Sequence, residues 1–552
     1  MFLNIFFKKR GKIYLCMFLN LIKNALSPFW LWRIPSSTRS VQDPSGYMGL
    51  PELLDHGQNA LASVREHDRR CQSALEGRVL SNLDGCIVVT TSYSGLGTAE
   101  IAGSQIAAAF KKRVVNFSAA DHAKGPLQVL LHGHAEDTKP LHVFGNILFR
   151  LPKSVRSEVM QLQKQKMKEY SDVEKSHGKA HKRCKFAKRR LGVELRDGIC
   201  RLLQNCEFEQ EAYCHRHRQK CPINPRLMPE YENAIWVEVA GSECKPWTQM
   251  GGQGDWLHAT TATCLTWVYW NKFFAPDVLL HECTPRFQAS QLLRMLQPSS
   301  KRTRIPDPCT VFGRTTIRCE KRVWQSESFL LCPTHFGWPS RRLRKYTFLW
   351  QPGVVQSLPF DLLDFFQRPL KDNADIFVVA DSDQLHDRAK IMAHAQGIVC
   401  EEEELDCIPL SAFLTPAKWV RLQQYERELL PTLPDVEALP CALVNLSQCQ
   451  HFFKGCDTAV VPPLLCGSDV FCIKRQRSVE VFPECFVIMG FGVDIEVLPR
   501  ERVHLLIGKL RSRGKITENQ CRTLCGNAMH VSVVTACMAV LLGMKLCQPE
   551  QH

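Results

Sequence analysis

Residues 86–117 read CIVVTTSYSGLGTAEIAGSQIAAAFKKRVVNF, and this stretch decides the fold. Residues 86–91 are a β-branched apolar run of strand character, and a turn with two glycines follows directly. Residues 99–110 then have the composition of a helix, and 113–117 form a second short strand-like run. Strand, glycine turn, helix and strand make one βαβ unit, which predicts an α/β protein.

The rest of the chain continues this pattern. Strand-like runs return at 234–240, 277–281 and 346–350, and the apolar stretch 531–543 is predicted to be a packed helix. The 552 residues are 45% apolar and 23% charged, which excludes a disordered, collagen-like or coiled-coil chain. No apolar run reaches the roughly 20 residues that span a bilayer, so we expect no transmembrane segment.

The net charge of +15 is concentrated in a few segments. Residues 1–42 contain seven Lys/Arg and no acid, and residues 151–220 contain 18 Lys/Arg against nine acids. Residues 286–350 carry 13 basic and three acidic residues, whereas 351–470 carry eight and 18. Concentrated basic surface indicates a polyanionic partner, with nucleic acid the first candidate, although solvated basic helices give the same composition.

Two basic segments bear on location in the cell. Residues 151–220 are predicted to be a largely helical insertion, and its densest patch, KRCKFAKRR at 182–190, is a candidate nuclear-import signal. The acid-free N-terminus fits a signal-like or transit-like leader, an amphipathic arm or an imperfectly defined gene start. We therefore expect a nuclear protein, with an organelle as the alternative.

The 26 cysteines include no C-x-x-C pair, which favours reduced thiols in a cytosolic or nuclear protein. One short segment offers four potential zinc ligands, namely Cys214, His215, His217 and Cys221. Their spacing is not that of known zinc fingers, so the segment is either a zinc site or a basic turn held by packing. We assign no metal ligand from the sequence.

Two features near the first strands could serve a cofactor. Gly95 and Gly97 follow a strand directly, where a backbone without Cβ lets a ligand approach while the next helix supplies N–H donors. A lone G-x-G is a weak signal. Asp121 follows the second strand, where a carboxylate can accept hydrogen bonds from ribose hydroxyls or can cap a helix.

Two other strand ends carry reactive groups. Residues 239–254 lead from a strand into a loop of small residues with one thiol, Cys244, placed for nucleophilic attack or simply buried and inert. Glu282 ends the next strand. Because α/β sheets place their sites at these ends, the thiol and the carboxylate can converge on one substrate atom.

Polar residues also precede the last strand and the last helix. Arg342 and Arg344 alternate, so both would point the same way on an incipient strand, toward phosphates or base edges or into solvent. Gly526 and Asn527 either close a cofactor pocket or turn the chain.

In this order, the segments resemble the cytosine-5 DNA methyltransferase family, of which the chain looks like a divergent, protist-like member. Residues 93–97, YSGLG, look like the family's Phe-x-Gly-x-Gly cofactor motif, and Cys244 falls in a segment like its Pro-Cys loop. The other segments that carry the resemblance are 281–283 (HEC), 337–344, 484–491 and 526–531.

The resemblance implies transfer of a methyl group from S-adenosylmethionine to carbon 5 of cytosine in DNA, through a covalent cysteine adduct with a flipped base. Cys244 would be the nucleophile and Glu282 the proton donor, with Arg344 holding the ring oxygen and Arg342 in the same catalytic set. The implied cofactor-binding residues are Tyr93, Ser94, Gly95, Leu96, Gly97, Asp121, Asn146 and Asn527.

The resemblance also implies a Rossmann-like methyltransferase sheet with helices on both faces, closed by the last motif returning beside the first. A smaller target-recognition domain and the basic helical insertion are added to it. The expected division is a leader or arm at 1–42, a cofactor-binding part at 81–150, the insertion at 151–230, a catalytic part at 231–350, a target-recognition-like domain at 351–480 and returning motifs at 481–548.

Several positions depart from the family's pattern: Glu243 replaces a proline, Cys283 and Thr284 replace Asn and Val, Ser340 replaces a glutamine and Asn146 an acid. A carboxylate at position 243 beside the thiol would raise its pKa by like-charge repulsion. Two alternatives stay open: an RNA cytosine-5 methyltransferase of the same family, and a catalytically inactive nucleic-acid-binding protein. The target site, maintenance or de novo behaviour and oligomeric state are not determined by the sequence.

Overall fold

Contacts divide the chain into two units, Met1–Gly46 and Tyr47–His552. In the computed structural model the described residues all belong to the second unit, so the predicted leader at 1–42 lies outside them. The described residues are 50–55, 58–63, 66, 86–110, 113–178, 181–248, 256–297, 323–397, 410–429, 443–447, 460–473, 477–478, 482–496 and 498–546.

The second unit is built on one large sheet. The strands are β1 (Ile87–Ser92), β2 (Val114–Ala120), β3 (His142–Phe144), β4 (Glu211–Cys214), β5 (Gln219–Pro222), β6 (Ile235–Gly241), β7 (Val278–Cys283), β8 (Gln325–Leu331), β9 (Arg344–Trp350), β10 (Val355–Ser357), β11 (Leu443–Asn445), β12 (Val470–Cys472), β13 (Arg477–Ser478) and β14 (Lys545–Leu546). Nine of them form a sheet in the order β5-β4-β3-β2-β1-β6-β7-β9-β8.

The direction of the strands places several loops at one edge. The five central strands, β3-β2-β1-β6-β7, run parallel, and the two strands at each side are antiparallel to their neighbours. The strand order reverses beside β1, which opens a crevice at the carboxyl ends of the parallel strands. Since β9 is antiparallel to β7, its first residue lies at that same edge.

Helices cover both faces of the sheet. They are α1 (Leu50–Leu54), α2 (Thr98–Phe110), α3 (Lys124–His132), α4 (Lys153–His177), α5 (Lys182–Gln204), α6 (Thr261–Phe274), α7 (Ala289–Leu296), α8 (Leu362–Phe366), α9 (Ser382–Gln396), α10 (Pro416–Gln424), α11 (Glu484–Ile488), α12 (Ile507–Ser512), α13 (Glu518–Asn527) and α14 (Val531–Leu542). Along β6, Val237 and Val239 join the core that contains α2 and α14, whereas Trp236 and Ala240 join the core that contains α5 and α6. This two-residue alternation confirms the predicted α/β sheet with helices on both faces.

The end of the chain packs beside its first motif, as expected. Helix α14 lies against α2, and Thr98 Oγ1 donates to the carbonyl oxygen of Met529 at 3.3 Å. Among the described residues, one stretch, Glu518–Leu541, is apolar and long enough to cross a membrane, and 94% of its apolar 18-residue segment is buried inside the protein. Burial of this kind is typical of a core helix in a soluble domain.

Two further regions stand beside the large sheet. The basic segment 151–220 contains α4 and α5, which pack on each other, and ends in the β4–β5 hairpin that extends the sheet edge. Within 351–480, α9 and α10 share a small hydrophobic core with the sheet β11-β12-β13. The role of 351–480 in target recognition stays a prediction.

Candidate active site

The turn after β1 has backbone conformations that favour glycine. Tyr93, Gly95 and Gly97 have φ angles of 58°, 57° and 75°, in the left-handed region that costs other residues energy. A Cβ on Gly97 would lie 2.3 Å from the imidazole of His134, whereas a Cβ on Gly95 would meet only the Tyr93 carbonyl oxygen, at 4.0 Å. The backbone at Gly95 is therefore open to an approaching ligand.

We expect the two glycines to respond differently to alanine. Gly95→Ala should lower the free energy of unfolding by about 1 kcal/mol, because only the left-handed backbone is disfavoured there. Gly97→Ala adds a clash with the buried His134 ring and should lower it by about 3 kcal/mol. Urea unfolding followed by circular dichroism measures both, and equal losses would contradict the packing assigned to Gly97.

Ser94 and Leu96 fix the turn after β1 through hydrogen bonds to neighbouring segments. Ser94 Oγ donates to the carbonyl oxygen of Ala120 at 3.2 Å and accepts its N–H at 2.8 Å, which ties the turn to the end of β2. The Leu96 side chain is fully buried, and its carbonyl oxygen accepts a hydrogen bond from His134 Nε2 at 3.1 Å. These contacts fix the path of the turn.

Asp121 joins the ends of β1 and β2. Its two carboxylate oxygens accept the N–H groups of Gly95 and Ala123, at 3.1 and 2.9 Å. Burial raises the pKa of Asp121, and these two backbone hydrogen bonds oppose that rise. The N-cap position of α3 belongs to Ala123, so Asp121 is not a helix cap. The carboxylate therefore lies directly against the backbone of the turn after β1.

Asn146 lies at the carboxyl end of β3. Its side-chain oxygen accepts the N–H of Leu148 at 2.9 Å and caps the 3₁₀ turn Ile147–Arg150. The adjacent Phe144 carbonyl oxygen accepts the N–H of Asp121 at 3.2 Å. Asn146 is therefore positioned next to the end of the strand that leads to Asp121.

Cys244 follows β6 and begins the 3₁₀ turn Lys245–Trp247. Its carbonyl oxygen accepts the N–H of Trp247, at 2.9 Å, and the buried Trp247 ring packs edge-on against Trp256 and Phe287, each at 5.1 Å. The thiol is half-buried. The turn and its buried tryptophan thus fix the loop that carries the thiol.

Charged groups surround this thiol. Burial raises the pKa of Cys244. The positive charges of Arg344 and Arg342 lower this pKa, and the negative charge of Glu282 raises it further. Glu243 instead pairs with Lys245, at 3.2 Å. Glu282 therefore contributes to the raised pKa of the thiol, while Glu243 has a cationic partner of its own.

Glu282 and Arg344 form a nearly buried ion pair at the ends of β7 and β9. Arg344 Nε lies 3.2 Å from Glu282 Oε1, and the two side chains are 11% and 9% exposed. Burial raises the pKa of Glu282, while Arg344 and Arg342 oppose the rise. Gly241 pairs with Glu282 across the strands, and a Cβ there would lie 3.3 Å from Glu282 Oε2. A small residue at this position leaves room for the carboxylate.

Arg342 is buried and donates hydrogen bonds to two backbone carbonyl oxygens. Its guanidinium donates to the carbonyl oxygens of Leu464 and Gly526, both at 3.1 Å. Burial lowers its pKa to about 10, so the side chain stays charged at neutral pH. The two arginines both lower the pKa of Glu282, and Arg342 also connects the site to remote segments.

Asn527 ends α13 beside a second thiol. Cys466 Sγ donates to Asn527 Oδ1 at 2.9 Å, and Cys466 also interacts electrostatically with Lys245, next to Cys244. A Cβ on Gly526 would lie 2.4 Å from the Cys466 nitrogen, so glycine is required for this contact. Sequence reasoning missed Cys466, because nothing in its neighbourhood in the chain links it to the thiol loop.

A buried polar network under the sheet edge was also missed. Glu238 accepts hydrogen bonds from Thr90 Oγ1 (2.5 Å), Ser92 Oγ (2.6 Å) and Trp267 Nε1 (2.9 Å). Arg150 Nη2 donates to Ser92 Oγ at 3.1 Å and supplies the opposite charge. The one acid within the apolar strand β6 was the available signal.

The five parallel strands therefore carry the candidate residues at one edge. A small cavity lies between the loops after β1 and β6, since Tyr93 from the first loop and Ser242 and Glu243 from the second line it together. In sheet order the strand ends contribute Asn146, Asp121, the turn 93–97, Cys244 and Glu282.

No protein-family model and no curated protein matches the chain. The chain is similar in structure to a DNMT2 mutant from Spodoptera frugiperda, with 12% identity, 82% of this chain and 99% of that chain covered, and a TM-score of 0.34. It is also similar to the S. pombe Dnmt2 methyltransferase, with 11% identity, 83% of this chain and 98% of that chain covered, and a TM-score of 0.35. For the Entamoeba histolytica methyltransferase EhMeth the identity is 9%, the coverage is 83% of this chain and 98% of that chain, and the TM-score is 0.36. At these values the likeness carries no substrate assignment.

Proposed function

We propose that the chain transfers a methyl group from S-adenosylmethionine to carbon 5 of cytosine in DNA, through a covalent adduct between Cys244 and a flipped base. The observation that supports this most is the convergence of four groups at one sheet edge. Cys244 lies in the electrostatic field of Glu282, Arg344 and Arg342, and the glycine turn after β1 opens at the same edge.

The residues at the β1 and β2 ends fit the cofactor. Gly95 leaves its backbone uncovered, and Asp121 places a largely buried carboxylate directly against that backbone. When bound, S-adenosylmethionine supplies an electrophilic methyl group. The residues that would bind this cofactor, or position the residues that bind it, are Tyr93, Ser94, Gly95, Leu96, Gly97, Asp121, Asn146 and Asn527.

The chemistry requires a nucleophile and a proton. Carbon 5 of cytosine becomes nucleophilic once a thiolate has added to carbon 6, and a proton or hydrogen bond at ring nitrogen 3 assists that addition. Cys244 forms the bond to carbon 6 after losing its proton to solvent, and Glu282 in its protonated form supplies the proton at nitrogen 3. Carbon 5 would then take the methyl group, with S-adenosylhomocysteine as the leaving group. Loss of the carbon-5 proton to solvent and of the nitrogen-3 proton to Glu282 accompanies elimination of the thiolate and restores the ring. Burial favours protonated Glu282, and Arg344 fixes the direction of its carboxyl group.

Access to the base requires its removal from the duplex. Flipping costs a few kcal/mol, which contacts in the pocket must offset. The segment 351–470 carries a net charge of −10 and repels phosphates, so we assign backbone contacts to 286–350 and to the basic insertion.

Charge reversal in the insertion tests that assignment. Lys182, Lys185 and Arg189 are exposed on α5. Replacing all three by glutamate should weaken DNA binding and reduce the slope of log affinity against log salt by about 3, because each lost phosphate contact removes about 0.9. Fluorescence anisotropy across a salt series measures the slope.

A control variant changes the net charge of the protein by the same amount at a different surface. Lys509, Arg513 and Lys515 are exposed near α12, and their triple replacement by glutamate alters the net charge equally. The salt slope of this control should stay close to that of the wild type. An unchanged slope in the α5 variant would contradict the role of the insertion.

Substrate class is tested by transfer of labelled methyl groups to DNA and to transfer RNA. Transfer to DNA supports the proposal, transfer to RNA alone supports an RNA methyltransferase, and binding without transfer supports an inactive nucleic-acid-binding protein. We also propose a nuclear location, based on the basic patch at 182–190. Imaging of a tagged chain tests it, with an organelle as the contrary result.

A further inference from the structure

Four potential metal ligands meet where β3 reaches the β4–β5 hairpin. They are His142, Cys214, His217 and Cys221, and one ligand atom of each lies within 4.8 Å of all the others. Nδ1 of His217 lies 3.6 Å from the Cys214 sulfur and 3.4 Å from the Cys221 sulfur. Three of these side chains are buried and the His217 side chain is exposed.

The hairpin and the sheet register bring these residues together. Cys214 ends β4, and the following turn is closed by the Arg218 N–H, which donates to the Cys214 carbonyl oxygen at 2.7 Å. Cys221 lies on β5 opposite Ala212, and β4 pairs with β3 through Cys214 and Phe144. The turn thereby brings the imidazole of His217 close to the thiols of Cys214 and Cys221.

The distances match those of a tetrahedral zinc site. Zn–S bonds of about 2.3 Å and Zn–N bonds of about 2.0 Å place sulfur and nitrogen ligands about 3.6 Å apart. Nδ1 of His142, a residue that is 9% exposed, has no hydrogen-bond partner among the described residues. The N–H of Val143 donates to the Cys214 sulfur at 3.4 Å, which is an outer contact that favours a thiolate ligand.

We propose that His142, Cys214, His217 and Cys221 bind one Zn²⁺ in a closed, structural site. This ligand set differs from the one that local spacing indicated, because His142 takes the place of His215. The ring of His215 lies edge-on to Tyr213 at 5.4 Å, and its Nε2 faces the Gly145 backbone. Four protein ligands leave no open position, as is typical of structural zinc.

The position of the site gives the metal a defined task. It ties the β4–β5 hairpin, at the end of the basic insertion, to β3. Strand β3 leads into Asn146, and its last carbonyl oxygen holds the N–H of Asp121. Zinc thus fixes the sheet edge beside the candidate cofactor residues, without taking part in methyl transfer.

Metal analysis of the wild-type protein, purified without chelators, is the first experiment. We expect about one zinc per chain by mass spectrometry, and chelation should lower the melting temperature. Replacement of zinc by Co²⁺ should give absorption bands of tetrahedral cobalt with thiolate charge transfer. Neither readout requires methyl transfer, so a failure here is distinct from a failure of the proposed function.

A pair of histidine variants identifies the ligand. His142→Ala should lower zinc affinity by about 100-fold or more, whereas His215→Ala, the matched control, should keep wild-type affinity and the cobalt spectrum. Cys221→Ser should weaken the thiolate band if His142→Ala fails to fold. Wild-type protein that contains no zinc and takes up no cobalt would overturn the proposal, as would zinc loss in His215→Ala with retention in His142→Ala.

Discussion

Replacing Cys244 by serine should reduce methyl transfer by about 10⁴-fold or more while leaving the protein folded and able to bind DNA and S-adenosylmethionine. A serine hydroxyl is far less ionised near neutral pH than a thiol, so the variant lacks a nucleophile able to attack carbon 6. The half-buried thiol differs from serine by one atom, so the loss of stability should be about 1 kcal/mol or less. Transfer of labelled methyl groups to DNA measures the effect.

The second thiol near the site provides the control. Cys466 is exposed and interacts electrostatically with Lys245, so it is the competing nucleophile in this region. Cys466→Ser keeps a hydroxyl that can donate to Asn527 and should retain transfer within about tenfold of the wild type. Loss of transfer in this variant, with transfer retained by Cys244→Ser, would assign the nucleophile to Cys466.

Replacing Glu282 by glutamine should slow methyl transfer by about 10²- to 10⁴-fold, because an amide cannot supply the proton at ring nitrogen 3. The amide has nearly the shape of the carboxylic acid, and its oxygen can still accept from Arg344 Nε. The fold and DNA binding should therefore persist. Single-turnover measurements separate the slower chemical step from any change in binding.

Glu243→Gln is the matched control, since it removes a neighbouring carboxylate from the same loop. Glu243 pairs with Lys245 at 3.2 Å, whereas Glu282 contributes to the pKa of the thiol, so the single-turnover rate should change by less than about threefold. A large loss in this variant together with a small loss in Glu282→Gln would reverse the roles given to the two acids.

The sequence was informative where structure is set by local pattern. The strand, glycine turn and helix around Gly95 were predicted because each element contains its own periodicity and turn residues. The strand ends that carry Cys244 and Glu282 followed from the rule that parallel strands share one functional edge. The structure confirms the strands at these positions, and the catalytic roles stay predictions.

Contacts between distant segments were not accessible to the same reasoning. Strand β3 is three residues long, and its pairing with β4 joins parts of the chain that no periodicity relates. His142 could therefore not be assigned to the cluster around Cys214, and nearby His215 was considered instead. The contact of Cys466 with Asn527 was hidden for the same reason.

Arg342 shows how a correct local inference can give an incomplete role. Its alternation with Arg344 predicted that the two side chains point the same way, and both of them lower the pKa of Glu282. Burial then favours hydrogen-bond partners for the guanidinium, and the carbonyl oxygens of Leu464 and Gly526 accept from its two terminal nitrogens. Long-range packing therefore gives Arg342 contacts that the local pattern did not predict.

Covalent trapping tests the central claim most directly. DNA that contains 5-fluorocytosine, incubated with the wild-type protein and S-adenosylmethionine between pH 7 and 9, should form a stable adduct, because fluorine at carbon 5 blocks the elimination that releases the thiol. Peptide mapping should locate the modified base on Cys244. Protein that binds both the cofactor and the DNA but forms no adduct across this pH range would contradict the enzyme and favour a silent nucleic-acid-binding protein.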